Sequence, residues 1–364
     1  MVQPMRFTAD DIEPMARGAA VLGGGGGGEP FLAEVMLGEV LGENGTIEIV
    51  PVEELDDDAD IAPLVLLGAP HALSEKLLGT AEPSILFDGD ALRGRTPSAV
   101  IPFEMAGMNA LYPLAAAALL GVPCVDGDFT GRGVPSLDQT VLELDDVQPD
   151  AYYLCDPNGR VVVLQTSGGF SAERLVRPVV ETMGWLTVVS TSSLSAAFCR
   201  THALRGSVTR CLELGHVFGG LSAFDEPEAF AVLRSHGGAV LGSGVITERL
   251  STSDPLGPRS SLSIEPDDPT LAPLRVELRN EFQLAVRAGE VLASAPDILV
   301  VADRDSWQPL STEDATADRD VHVVALPTDD RWRTPKGLAL VGPRALGYGL
   351  DYVDFSVVSG GVGR

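Results

Sequence analysis

The sequence predicts an α/β domain over residues 1–170, a layered sheet with helices, followed by a domain over residues 171–364 that enters through helices and then becomes β-rich. Three observations predict this. Before about residue 150, apolar strand-like runs alternate with helical segments, the layer pattern of an α/β domain. From Ser207 onward, short β-like runs are separated by Gly, Ser and Pro. The length of 364 residues allows two domains that each bury a core.

The elements follow in order. Residues 10–20 read as a helix, with Asp10 and Asp11 as capping acids and apolar positions at helical spacing. The apolar run 19–22 then enters six glycines, Gly23 to Gly28, and a second helix opens at Glu29-Pro30 and runs over 31–41. Pro suits the first helical position and Glu29 suits the positive end of the helix dipole. The expected order here is strand, glycine loop, helix. Asn44-Gly45 is a turn before a strand over 46–52. Residues 61–67 and 98–102 are buried strands, 108–121 an Ala- and Leu-rich buried helix, and 122–126 the next strand. Beyond residue 150, runs 151–155, 160–165 and 187–190 are β-like, with 171–183 and 193–204 helical. The later β-like runs are 237–245, 274–278, 298–302, 321–326 and 338–341, with Gly242-Ser243-Gly244 read as a turn and 251–273 as a Ser/Asp/Pro-rich surface insertion.

Composition narrows the function classes. Lys plus Arg number 25 and Asp plus Glu 52, so the formal charge is 25 − 52 = −27. Nucleic acid and anionic membranes both need a basic surface, which argues against either as partner. The hydrophobic fraction of 45% is that of a globular chain. No apolar stretch approaches a membrane span and the N-terminus lacks a signal pattern, so a soluble, cytoplasmic protein is expected. Cys124, Cys155, Cys199 and Cys211 form no disulfide framework. Cys199-x2-His202 with Cys211-x4-His216 has the ligand types of a zinc site, but not the usual order within each half.

The glycine run is the most unusual feature. Its G-x-G-x-x-G match is trivial, and Glu29-Pro30 stands where a phosphate loop needs Lys and Ser/Thr, so no nucleotide is expected. An ordered loop lining a small-molecule site, through Gly25, Gly26 and Gly27, is favoured over a flexible linker.

In open α/β sheets ligands sit beyond the carboxyl ends of the strands. Here those ends carry Gly68-Ala69-Pro70-His71, Phe103-Glu104 and Asp126-Gly127-Asp128. Glu104, Asp126 and Asp128 are the candidate catalytic carboxylates, as acid/base groups or as ligands of a divalent metal such as zinc. Asp-x-Asp in an extended segment puts both side chains on one side. Helix capping or a loop hydrogen bond is the plain alternative for each acid. Arg132 could neutralise these acids or grip a substrate carboxylate, Asn109 could cap a helix or orient a ring, and His71 follows a buried strand. No Ser/His/Asp triad is legible.

The motifs Leu22-Gly23 through Gly28-Glu29-Pro30, Pro51-Val52-Glu53-Glu54-Leu55, Gly68-Ala69-Pro70, Pro102-Phe103-Glu104-Met105-Ala106-Gly107-Met108-Asn109 and Asp126-Gly127-Asp128 with Gly131-Arg132 resemble the S-methyl thiohydantoin desulfurase family. So do Arg279-Asn280-Glu281, Pro296-Asp297-Ile298, Trp332-Arg333-Thr334-Pro335-Lys336-Gly337-Leu338 and Val341-Gly342-Pro343-Arg344 with Gly347-Tyr348. The resemblance covers nearly the whole chain. It implies hydrolysis of a 2-methylthio-imidazolone ring to a hydantoin and methanethiol. Glycine-loop N–H groups would then hold a ring carbonyl, and Arg132 or Arg344 a side-chain carboxylate. The alternative it implies is a non-catalytic partner subunit of a hydantoinase/oxoprolinase-type complex, and a homo-oligomer is a further possible assembly. The chain departs from the family at Ser136, Asp138 and His71, where the family tends to carry Glu, Gln and a small hydroxyl residue.

Overall fold

The computed structural model describes residues 4–28, 30–69, 72, 76, 79–87, 97–166, 171–254 and 257–356. The chain divides into two compact units. The first gathers the residues before Ala20, Gly28–Gly131 and Ser136–Leu212; the second gathers Ala20–Gly27, Arg132–Pro135 and the residues from Glu213 on. The division is therefore not a single cut in the sequence: the glycine run and the short segment at Arg132 belong with the later part of the chain.

The first unit is built on a mixed sheet. Its strands are β1 (Met5–Phe7), β2 (Ile47–Val50), β3 (Asp60–Gly68), β4 (Ala99–Pro102), β5 (Cys124–Val125), β6 (Gly127–Asp128), β7 (Ala151–Cys155), β8 (Val161–Gln165), β9 (Leu186–Thr191), β10 (Leu194–Ser195) and β11 (Leu204–Arg205). The order across the main sheet is β1-β2-β5-β4-β3-β9-β7-β8, with β10 on β3, while β6 and β11 form a separate pair. The contacts β2–β5, β5–β4 and β4–β3 are parallel and the others antiparallel. Strands buried on both faces read as continuous apolar runs, and Ile61, Leu64, Val100 and Ile101 are fully buried here. The helices are α1 (Ile12–Gly23), α2 (Phe31–Leu41), α3 (Glu82–Phe87), α4 (Gly107–Leu120), α5 (Val141–Leu144), α6 (Ala172–Thr182), α7 (Ala196–His202) and α8 (Ser207–Leu221). The Ala-rich α4 is buried from Gly107 through Ala117, because small side chains let it lie close to the sheet.

The second unit is an antiparallel sheet of β12 (Ala239–Asp254), β13 (Gly257–Pro266), β14 (Leu274–Leu278), β15 (Phe282–Arg287), β16 (Glu290–Ser294), β17 (Ile298–Asp303) and β18 (Asp320–Leu326). The order is β16-β15-β14-β13-β12-β18-β17. The sheet curls into a half-barrel, so that β15 and β17 approach without being ladder neighbours. Register shifts in β12 between Val240 and Gly242 and between Ile246 and Glu248 supply bends of the kind that curl a sheet. Val321, Val323 and Ala325 alternate into the core with Leu262, Ile264, Val276, Phe282, Leu299 and Val301. Helices α9 (Glu226–Ser235) and α10 (Pro335–Val341) complete the unit.

The α/β and β-rich classes hold, and five local expectations change. The run 19–22 is the last part of α1, so the glycine loop joins two helices and follows no strand. Residues 338–341 are helical because Thr334 accepts a bond from the Gly337 N–H and Pro335 occupies the first turn. The β-rich stretch expected from Ser207 onward begins only at β12, and the segments at Ser207 and Glu226, given no element of their own, are α8 and α9; Asp225 caps α9 through the Glu228 N–H. Gly242-Ser243-Gly244 lies inside β12, and most of 251–273 is the β12–β13 hairpin. Among the described residues no helix is long and apolar enough to cross a membrane.

Candidate functional site: a buried carboxylate centre in each unit

In the first unit, β4 delivers Phe103 and Glu104 to the start of α4. Ala106 occupies the N-cap position in extended conformation, without a side-chain cap. Asn109, in the first turn, is buried. Its Oδ1 accepts the Leu66 N–H at 2.7 Å, which turns its amide nitrogen toward Glu104, and Nδ2 donates to Glu104 Oε2 at 2.6 Å. Leu66 lies in the neighbouring strand β3, so two strand ends and a helix start fix this pair.

Asp128 is fully buried. Its Oδ2 accepts from Met105 N at 3.0 Å, Thr130 N at 3.0 Å, Thr130 Oγ1 at 2.9 Å and Gly131 N at 2.6 Å, and its Oδ1 accepts from Ser207 Oγ at 2.6 Å. Burial pushes its carboxyl above the usual range, while the bonds from Ser207, Gly131 and Thr130 pull the other way. Asp126 accepts from Val208 N at 2.9 Å, Thr209 N at 3.0 Å and Thr209 Oγ1 at 2.6 Å. Both acids of the Asp-x-Asp thus reach the first turn of α8, where the helix dipole favours negative charge. Asp128 also grips the backbone of Met105, the residue after Glu104. Glu104 and Asn109 form one pair, and Asp126 and Asp128 tie the loop to α8.

Among the described residues no group of three or more His, Cys, Asp or Glu side chains could hold a metal ion. The Cys/His spacing does not gather into a cluster: Cys199 and Cys211 are buried free thiols, His202 Nδ1 meets Asp145 Oδ2 at 2.7 Å, and His216 is exposed.

In the second unit the glycine run is ordered against the sheet. Phe282 N donates to Gly24 O at 2.8 Å and Thr312 N to Gly25 O at 2.9 Å. Gly26 N closes a turn onto Gly23 O at 3.0 Å. Gly25 has φ +89°, and a Cβ there would lie 2.6 Å from the Phe282 ring. At Gly26 a Cβ would lie 2.8 Å from both Asn280 O and Glu281 Cγ, and 3.1 Å from Glu281 Oε1. The glycines are needed because the backbone lies directly on residues 280–282.

Glu281 sits beneath this strip at 2% exposure. Burial pushes its carboxyl up to about 7; the Arg132 guanidinium and the Gln283 amide pull it down without overcoming the loss of water. Gln283 Nε2 approaches Glu281 Oε2 at 3.5 Å, and Tyr348 Oη donates to Gln283 Oε1 at 3.1 Å. Arg132 is buried and donates from Nε to Gly133 O at 2.9 Å, and from Nη1 to Pro296 O and to Asp297 O at 3.3 Å. Asp297 in turn takes Arg333 Nη2 at 2.7 Å and Tyr352 Oη at 2.8 Å. Gly26 lies against, and the Arg132 charge acts on, a carboxyl that the sequence did not single out. Glu281 lay in the Arg279-Asn280-Glu281 motif, but no spacing distinguished it among 52 acids. Gly27 continues the strip with φ +82°. Arg344 stands apart: its side chain is 65% exposed and pairs with Asp351 at 2.6 Å. His71 lies outside the described residues.

Comparison with known proteins places this geometry in context. Residues 10–166 match the model "S-Me-THD-like, N-terminal domain" and residues 167–355 match "S-Me-THD-like, C-terminal domain". A crystal structure of a protein from Chromobacterium violaceum is similar in fold, with a TM-score of 0.78 and 22% identity over 96% of this chain and 100% of that one. No curated protein matches the chain.

Proposed function

The chain belongs to the S-Me-THD-like family, and on that premise we propose that it is a hydrolase of a small hydantoin-like heterocycle, releasing methanethiol from an S-methyl thiohydantoin and leaving a hydantoin. The reaction adds water across the C2=N bond of the ring. The C2–O bond forms, the π pair moves to nitrogen, and that nitrogen takes a proton. The hydroxyl then loses its proton, C2=O forms, and the C2–S bond breaks with its electron pair on sulfur, which leaves as methanethiol after protonation. Each step needs a group that exchanges protons near neutral pH.

The observation that carries this reading is Glu281, a carboxyl held near 7 under an ordered strip of glycine backbone and beside buried Arg132. A group of that kind can both take and return a proton at neutral pH. A second reading puts the chemistry at Glu104. It is favoured by the 2.6 Å bond from Asn109, which fixes the carboxylate in burial, with Asp128 holding the adjoining backbone.

Thiol release from an S-methyl thiohydantoin bearing a propionate side chain, followed with a thiol-reactive dye before and after chelator treatment, tests the activity. Release is expected from the wild type. Loss on chelation would show that a metal takes part. Glu281→Gln is expected to lower turnover about 10²- to 10⁴-fold. If Glu104→Gln alone produces that loss, the chemistry belongs to the first unit. No release at high enzyme concentration would overturn the hydrolase reading.

A further inference from the structure

We propose that His322 is an acid-sensitive latch in the second unit: a proton on its ring releases the 303–310 segment and α9 from the sheet face that points away from the core. The latch is independent of the hydrolase reading and uses none of its residues.

His322 lies inside the sheet, on β18 between β12 and β17, opposite Ser243 and Ala302. Val321 and Val323 on either side turn into the core, so the imidazole stands on the other face. It is fully buried there. Trp307 stacks on the ring with centroids 4.1 Å apart, and Phe230 of α9 meets it edge-on at 5.5 Å. Trp307 has a left-handed φ of +58°, a costly conformation for a bulky residue that this packing maintains. His322 Nδ1 and Ser243 Oγ share a hydrogen bond at 2.6 Å. Nε2 is buried with no hydrogen-bond partner among the described residues.

A neutral ring in this place leaves one bond unmade. An imidazolium carries a charge and two N–H donors, and only Ser243 stands ready to accept. The stacked indole attracts a cation, but less than the hydration a buried charge gives up. The charged groups around the ring are Glu226 at the start of α9, Arg304 after β17, Asp320 at the start of β18 and Asp267 beyond β13. The three acids favour the proton and Arg304 opposes it, while Arg304 itself pairs with Glu226 at 2.7 Å, Asp267 at 2.6 Å and Asp320 at 3.3 Å. Burial prevails and holds the ring below the usual histidine value. Hydrating Nε2 requires Trp307 or Phe230 to move, because their rings cover the imidazole. The latch therefore contributes its full stability above about pH 6.5 and loses it as the pH falls through the folded value.

Hydrogen exchange of the full chain between pH 7.5 and pH 5.5, read by mass spectrometry and corrected for the intrinsic pH dependence of exchange, tests the latch. In the wild type, protection of 226–235 and 303–310 is expected to fall below about pH 6.5, by up to about tenfold for each pH unit, while 274–278 keeps its protection. His322→Phe keeps an aromatic ring on Trp307 and cannot take the proton, so its protection should not change with pH. His322→Gln makes the same test should thermal melts show the Phe variant unfolded. Arg304→Gln should retain the acid loss from a lower starting protection, because the proton goes to the ring. Constant protection in the wild type, the same acid loss in a folded His322 variant, or its disappearance in Arg304→Gln would overturn the proposal.

Discussion

Glu281 is the side chain whose environment departs furthest from what its residue type suggests. Its folded pKa of about 7 lies above the ordinary 4.5, so the fold favours the protonated form. The stability this brings is fully present below about pH 4.5 and is lost as the pH rises through about 7. The loss amounts to about 3 kcal/mol, taking 1.36 kcal/mol for each unit. Denaturant melts at pH 5 and pH 8 should therefore show wild type weakening on the alkaline side, while Glu281→Gln stays level and is the more stable protein at pH 8. A wild type with no such difference would mean that water reaches the carboxyl. Asp128 shows the opposite arrangement of the same chemistry: four donors on one oxygen and one on the other make it a fastener of the loop. The sequence singled out Asp128 and not Glu281, because a one-dimensional pattern shows charge and spacing but not how many N–H groups converge on an oxygen.

At the scale of elements, the glycine run and the strand ends set the two centres. Gly25 combines a left-handed backbone with a ring in contact, so Gly25→Ala meets both a conformational and a steric obstacle. We expect it to cost about 2–4 kcal/mol, read as a lowered denaturation midpoint with an unchanged m-value. An unchanged midpoint would mean that the run is loosely held against β15. The sequence pointed to an ordered glycine loop, and the loop is ordered. What it missed was the partner: the run docks on residues 280–282 and Thr312, more than 250 positions away, as roughly counted on a chain whose loop-closure cost grows only slowly with length. It also misread residues 338–341, part of α10, as β-like. Its cap, Thr334, is a single residue that also suits turns, so the neighbouring Pro and Gly weighed toward a short strand.

At the scale of the whole molecule the charge of −27 is a repulsive load spread over both units. Raising NaCl from 20 to 500 mM is expected to raise the Tm by a few degrees through screening. A Tm independent of salt would mean that local ion pairs, such as Arg304 with Glu226 and Asp267, already offset that load. What the sequence by itself determined is the class of each half, the strand ends bearing Glu104 and Asp126-Gly127-Asp128, and the family. These are written in local apolar periodicity and in motifs whose residues lie close together in the chain. Only the tertiary structure decided which acid is fastened and which is left poised. That depends on burial and on donors brought in from distant segments: Ser207 and Thr209 for the aspartates, Gly26 and Arg132 for Glu281. A carboxyl's proton affinity is set by the water it loses and the charges it gains, and both are properties of the fold.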